Sequence, residues 1–379
     1  MTGKGGAPDA LAGGGTALSR AGVGDERPSL RVVGVDIGGT NVRAGFVEGG
    51  QIVDALRRTH RDSPYGTPAS YSNVVRLIAE LVAELQERNG PADGVGLSIS
   101  GVLSADRRTV VSNNGVGWVD CPVVEDVRES CRLPVVLEND GNCATWGEYV
   151  AGVGQRADPF VLLTLGTGVG GGTIIGGQLV RGSRGAAGEL GHICVAVGGR
   201  ACPCGAIGCL EQYASGPALL RAFARLSEDR RSSDATGREG APAPAMAVAQ
   251  YERLREEFGR AVLREDPLAS VVMAEVAGHI ATGISAMVRV CDPAMVAIGG
   301  GLSAIGAPLV EAVRKAVREY PSVKERAMTL AIELAEHRES AGVLGAALLC
   351  ESHLSMSTGA GLGEAASGPW LPAGGMAQG

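Results

Sequence analysis

The chain has 379 residues, 45% hydrophobic and 20% charged, enough apolar material for two domains with sizeable cores. A net charge of −7 without a dense Lys/Arg run argues against nucleic acid as a partner. Phosphate ligands stay open, because backbone N–H groups among 59 glycines can hold them. Nine cysteines without framework spacing suit a reducing, cytoplasmic setting with a metal site better than a disulfide scaffold. Neither a secretory leader nor a run of about 18 apolar residues is evident, so no membrane span is expected.

Residues 1–29 are Gly/Ala-rich and read as a disordered tail. Arg31–Ile37 reads as a buried strand, ends in Gly38-Gly39-Thr40-Asn41, and is followed by a second strand over Val42–Val47. Such a hairpin tip can wrap backbone amides around a phosphate, with Asp36 facing the associated Mg²⁺ through water. It also occurs as a plain turn. Apolar residues at Val74, Leu77, Ile78, Leu81, Val82 and Leu85 predict a helix over Tyr71–Arg88. Gly94–Ile99 reads as a strand turning at Ser100-Gly101, and strand–helix–strand alternation points to an α/β fold.

Asn113–Trp118 reads as a polar loop with a lone Trp, and a helix is expected near Val123–Cys131. A strand over Leu133–Leu137 delivers Glu138-Asn139-Asp140-Gly141-Asn142 at its C-terminal end, ahead of a helix through Trp146, Glu148 and Val150. Ligands of open α/β sheets bind beyond strand carboxyl ends, which makes Asp140 a candidate base. Asp140 or Asn139 can also cap the helix, and the two roles are compatible. Phe160–Leu165 forms another strand, breaking into Gly166-Thr167-Gly168-Val169-Gly170-Gly171-Gly172 before Thr173 continues. That is a second phosphate-type hairpin. A strand follows it rather than a helix, which argues against a Rossmann dinucleotide site.

Glu189-Leu190-Gly191-His192 precedes the run Cys202-Pro203-Cys204-Gly205-Ala206-Ile207-Gly208-Cys209-Leu210-Glu211. Three thiolates and an imidazole close a zinc tetrahedron with no open position, so His192, Cys202, Cys204 and Cys209 form a structural Zn²⁺ site flanked by Glu189 and Glu211. A helix over Gly216–Leu226 leads to a flexible insertion at 228–246, then to helices over Val248–Glu265 and Ala269–Val290. His279 lies in the last of these and reads as packed or solvated rather than a ligand. Met295–Ile298 is a strand entering Gly299-Gly300-Gly301, which opens a helix to about Glu319 and suits the adenosine or phosphate end of a nucleotide. A helix over Ser340–Leu349 closes the fold, and the chain beyond about 353 returns to low complexity.

Two phosphate-type hairpins, a strand-end Asp between them and a late Gly-Gly-Gly turn describe an actin-like ATPase (ribonuclease H-like) α/β fold. In it, two lobes surround a central nucleotide and sugar cleft. With Glu189-x-x-His192 and Cys-x-Cys-Gly-x-x-Gly-Cys-x-Glu added, the chain resembles the ROK family of bacterial glucokinases and related hexose kinases over about residues 31–352. The tails at 1–29 and 353–379 and the 228–246 stretch lie outside the resemblance. It implies a small lobe at 30–140 and a large lobe at 141–352 that carries the zinc motif, with a last helix able to pack back on the small lobe. It implies Asp140 as catalytic base for the sugar 6-hydroxyl. Asp36, Gly38, Gly39, Thr40, Asn41, Gly166, Thr167, Gly168 and Gly170 match the phosphate loops, and Gly300 and Gly301 match the adenosine loop. Asn114, Asn139, Asp140, Glu189, His192 and Glu211 match the sugar-binding residues. ATP, Mg²⁺ and Zn²⁺ follow as cofactors, glucose as first substrate, and a homodimer as assembly.

Some residues depart from that pattern. Ser100-Gly101 stands where many members have Pro-Gly. Asn139–Ala144 and Cys209–Gly216 also resemble the N-acetylmannosamine kinase branch, which keeps acetylated and amino sugars in view. A sugar-sensing repressor of the family would need a helix-turn-helix segment, and the Gly/Ala-rich stretch before Arg31 does not resemble one. A polyphosphate-using kinase would show a basic strip that is not apparent here.

Overall fold

The computed structural model describes residues 30–60, 70–113, 116–229, 248–321 and 325–357. Asn114, the 230–246 part of the expected insertion and nearly all of both expected tails lie outside the described residues. The first sheet is built from β1 (Arg31–Ile37), β2 (Asn41–Glu48), β3 (Gln51–Thr59), β4 (Gly94–Ile99) and β8 (Val135–Asn139). Between β4 and β8 a small sheet is inserted, formed by β5 (Val102–Leu103), β6 (Val110–Asn113) and β7 (Trp118–Cys121). The second large sheet comprises β9 (Phe160–Leu165), β10 (Val169–Ile175), β11 (Gln178–Leu179), β12 (Met295–Gly299) and β13 (Ala331–Leu334).

The two large sheets share one plan. Strand orders are β3-β2-β1-β4-β8 and β11-β10-β9-β12-β13. In each, a strand forms an antiparallel hairpin on one side and pairs in parallel with a later strand on the other. The Gly-rich hairpins after β1 and β9 therefore hold equivalent places in two related halves.

Helix α1 (Tyr71–Asn89) buries Val74, Ile78, Leu81, Val82 and Leu85 against the first sheet. Ser70 caps its start by accepting from the Asn73 N–H. Each such aliphatic side chain contributes about 1.5–3 kcal/mol when fully buried. Helix α2 (Val123–Cys131) covers the same core with Val123, Val124 and Val127. Trp118 belongs to that core as well. It opens β7, is buried, and meets Tyr71 edge-to-face at 5.0 Å, so the Trp at the end of the expected polar loop is an aromatic anchor of the core.

Helix α3 (Asp140–Ala151) follows β8, and α9 (Ala341–Ser357) packs on both α3 and the first sheet. Contact is closest where side chains are missing. A Cβ on Gly96 would sit 1.9 Å from the Ala346 carbonyl oxygen, and one on Gly345 would sit 1.7 Å from the Cys143 carbonyl oxygen. Sequence periodicity extends the last helix only to Leu349, because its far end is polar, but it continues to Ser357.

The second core gathers α4 (Glu211–Ala214), α5 (Gly216–Asp229), α6 (Val248–Leu263), α7 (Pro267–Cys291) and α8 (Ala307–Glu319) around β9 and β12. By length and composition α7 is apolar enough to cross a membrane. Its Val272, Val276, Ile280 and Ile284 are instead buried in this core. The helix expected from Gly301 to Glu319 divides into a 3₁₀ turn at Gly301–Ile305 and α8. Gly306, at φ 78°, separates them in a conformation a continuous helix cannot hold.

Candidate active site

Asp36 is the penultimate residue of β1, and its Oδ1 accepts a 2.8 Å hydrogen bond from Ser98 Oγ, with Arg43 4.0 Å from the other oxygen. Burial raises its carboxyl above the usual range, against the opposing pull of Ser98 and Arg43. The following turn closes when the Gly38 N–H donates to the Asn41 carbonyl at 3.0 Å. Strand β3 braces it. The His60 N–H donates to the Thr40 carbonyl, His60 Nε2 meets the Gly38 carbonyl at 2.8 Å, and Thr59 Oγ1 donates to Asn41 Oδ1. Asn41 is thus a strut of the turn.

The β9–β10 turn closes through the Gly166 N–H and the Gly168 carbonyl at 2.9 Å. Nothing lies within 4 Å of where a Gly166 Cβ would project. Glu211 Oε2 accepts from the Val169 N–H at 3.0 Å, and a Cβ on Gly168 would fall 2.5 Å from that oxygen. Glu211 therefore reaches the phosphate-type turn as well as the zinc run. Gly170 lies within β10 opposite Thr164 rather than at the tip. Gly300 packs against the backbone of Leu165 at the end of β9, whereas Gly301 faces open space.

Asp140 begins α3. Asn139 caps this helix, its Oδ1 accepting from the Gly141 N–H at 2.9 Å and the Asn142 N–H at 3.3 Å. Protein on either side of Asp140, then the charge of Asp36 and that of Glu189, raise its carboxyl to about 6. The residue is exposed at the surface, so water moderates the rise. The charge of Asp36 is felt at Asp140, and a divalent cation held near them would relieve that repulsion.

Before Asn114, Asn113 Nδ2 donates to Ser100 Oγ at 3.2 Å and also to the Ser100 carbonyl. Gly101 adopts φ 107°, and a Cβ there would lie 2.4 Å from the Ser112 carbonyl. The glycine of the expected Pro-Gly pair is thus required, while Ser100 adds a hydroxyl partner for Asn113.

His192 Nδ1 lies 3.7 Å from Cys202 Sγ, and Cys204 Sγ lies 3.7 Å from Cys209 Sγ. All four donor atoms fall within 4.8 Å of one another. Zn–S bonds of about 2.3 Å and Zn–N bonds of about 2.0 Å give tetrahedral edges of about 3.5–3.8 Å, so this donor set fits zinc. Gly205 and Gly208, at φ 92° and 85°, make the turns that converge the thiols. Gln212 Nε2 approaches Cys202 Sγ at 3.7 Å, and Nε2 of His192 lies 3.9 Å from Glu189 Oε2. The imidazole therefore spans the thiols and a cleft carboxylate. His279 stacks near Tyr213, 4.3 Å between ring centroids, which agrees with a packed residue.

Ser98, His60, Arg43 and Glu138 escaped sequence reasoning. Ser98 alone carried a signal, a hydroxyl inside an otherwise apolar strand whose every residue is buried.

Paired halves with repeated strand order, each with a Gly-rich hairpin after its first strand, are the plan of an actin-like ATPase fold. The chain belongs to the ROK family, whose model matches residues 32–353. It is 34% identical to a glucokinase of Streptomyces coelicolor over 317 residues, covering 83% of this chain and 96% of that protein. It is 30% identical to an N-acetylmannosamine kinase of Yersinia pseudotuberculosis over 325 residues, 84% of this chain and 98% of that one. The crystal structure of a ROK glucokinase from Streptomyces griseus in complex with glucose and AMPPNP superimposes with a TM-score of 0.70 at 34% identity, covering 84% and 98% of the two chains.

Proposed function

We propose that the protein is a glucokinase, transferring the γ-phosphoryl group of ATP to the 6-hydroxyl of glucose. The observation that carries this is Asp140: a carboxylate capped into the start of α3, exposed at the surface, with a raised pKa in the field of Asp36. Asp140 accepts the proton of the 6-hydroxyl while that oxygen bonds to the γ-phosphorus, and the bond from γ-phosphorus to the bridging oxygen breaks to release ADP. The transition state is loose and rich in charge, so positioning and electrostatics supply most of the rate. Asp36, with the Gly38–Thr40 and Gly166–Gly168 turns, would hold Mg²⁺ and the phosphates, and Mg²⁺ neutralises their charge when bound. Gly300 and Gly301 would line the adenosine side.

Asn114, Asn139, Glu189, His192 and Glu211 would bind the sugar hydroxyls. Carboxylates suit this task because each oxygen accepts from more than one hydroxyl. A Zn²⁺ at His192, Cys202, Cys204 and Cys209 would fix the loop that presents Glu189 and orient the imidazole. We assign the small lobe to 30–140 and the large lobe to 141–352, place the enzyme in the cytoplasm where its thiols stay reduced, and expect a homodimer in solution.

The resemblance of Asn139–Ala144 and Cys209–Gly216 to N-acetylmannosamine kinases supports an acetylated sugar as second reading. ADP release from Mg-ATP, measured against glucose, mannose, glucosamine, kanosamine, N-acetylglucosamine and N-acetylmannosamine, decides between them. The highest kcat/KM on glucose supports the glucokinase reading. Preference for an acetylated or amino sugar replaces the substrate but keeps the chemistry, and no turnover on any of them refutes the kinase.

A further inference from the structure

Glu138 is a buried carboxylate that the phosphoryl-transfer scheme does not use, with only 4% of its side chain exposed. Four groups converge on it. Its Oε2 accepts from Arg181 Nε at 2.7 Å and lies 3.6 Å from Arg107 Nε. Its Oε1 accepts from the Asn139 N–H at 3.0 Å and from Asn142 Nδ2 at 3.1 Å.

These partners come from three separate stretches. Arg107 sits at the tip of the β5–β6 hairpin, where the Ser104 N–H donates to the Thr109 carbonyl and Arg107 itself takes φ 53°. A side chain rarely accepts that backbone conformation unless its surroundings hold it there. The hairpin leads into β6, which ends at Asn113. Asn139 and Asn142 belong to the cap and first turn of α3 around Asp140. Arg181 opens the stretch closed by the Ala187 N–H to the Arg181 carbonyl, and that stretch runs on through Gly188 to Glu189. One buried carboxylate thus contacts three stretches that lead to candidate sugar-binding groups: the hairpin ending at Asn113, the Asp140 helix start and the stretch to Glu189.

Burial makes this arrangement sensitive. Removing either cation would leave a carboxylate with 4% exposure uncompensated, whereas Arg107 and Arg181 keep 19% and 27% of their side chains exposed, so the ion pairs hold Glu138 in one place. We propose that Glu138 is a positioning residue, an ionic clasp that sets the register of the Asn113 hairpin, the Asp140 helix start and the Glu189 stretch for sugar binding. The sugar-binding part of this inference rests on the kinase reading above; the clasp itself rests on geometry alone.

The test uses the full chain loaded with zinc, as wild type, Glu138→Gln, Arg181→Gln and the double variant. Hydrogen exchange is followed in peptides spanning 104–113, 139–145, 181–190 and 36–41. The clasp predicts faster exchange in the first three peptides of Glu138→Gln, with 36–41 unchanged. Change confined to 139–145, or no change, overturns it, whether or not any sugar is phosphorylated.

Kinetics then separate positioning from bulk stability. Glu138→Gln should raise the glucose KM about tenfold and lower kcat while leaving the ATP KM within about twofold, since misplacement acts on the sugar side. The double variant should lose less than the product of the two single losses, because two neutral amides replace the ion pair. Equal changes in both KM values, accompanied by a fall in melting temperature, would make Glu138 a structural brace and overturn the inference. A wild type that turns over no sugar refutes the kinase instead and leaves the exchange measurement to decide the clasp.

Discussion

Replacing Gly345 with Ala tests whether the α3–α9 contact sets the position of the candidate base. The new Cβ would lie 1.7 Å from the Cys143 carbonyl oxygen and 2.5 Å from its carbon, both rigid helix backbone. Relief to an ordinary van der Waals contact requires the helices to part by about 1.7 Å. Overpacking of this kind costs about 1–3 kcal/mol, and backbone on the opposing side places Gly345→Ala at the upper end. Melting should fall by roughly 4 °C in a chain of this size. Because α3 begins with Asp140, a shift near 1 Å at its start should also lower kcat by about 100-fold.

Gly278→Ala is the matching control, since a Cβ there meets nothing within 4 Å in the middle of α7. It should stabilise by about 0.5–1 kcal/mol and leave kcat unchanged. Differential scanning fluorimetry and steady-state ADP release read both effects. If Gly345→Ala melts and turns over like the wild type, the close helix contact does not position the site, and that reasoning fails.

Asp140 must be ionised to accept a proton. With its carboxyl raised to about 6, kcat/KM for glucose should fall as pH drops through that value and level off above it, as a pH-rate profile would show. A plateau extending well below pH 5 would contradict it. Ser98→Ala removes the hydrogen bond that favours ionised Asp36, so the Asp36 pKa should rise further and the ATP KM should increase, more at pH 6 than at pH 8. Chelating zinc, followed by a zinc-release assay, should raise the glucose KM well before the ATP KM, because His192 lies between the thiols and Glu189. Equal loss of both affinities would point to general unfolding instead.

Much of the fold was legible because its strands carry continuous apolar runs. β1, β4, β9 and β12 lie inside their sheets and read as short runs rich in Val, Ile and Leu. β3 alternates exposed and half-buried residues at a sheet edge, and β11 and β13 span two and four residues, so no periodic signal marked them. Asp36, Asp140 and the Cys/His cluster were readable because each is tied to a local motif. Glu138 with Arg107 and Arg181 was not, since its partners lie 31 and 43 positions away and meet only through the fold. The end of α9 and the break before α8 depended on Gly306 and on tertiary packing, which hydrophobic pattern does not encode.

The most direct test of the central claim is Asp140→Asn, assayed with Mg-ATP and glucose alongside calorimetric glucose binding. The neutral amide keeps the shape and removes the proton acceptor, so kcat should fall by about 10²–10⁴ while glucose still binds within a few-fold of wild type. Turnover near the wild-type rate in a zinc-loaded Asp140→Asn protein would show that another group takes the proton, and would overturn the assignment of Asp140 as the base.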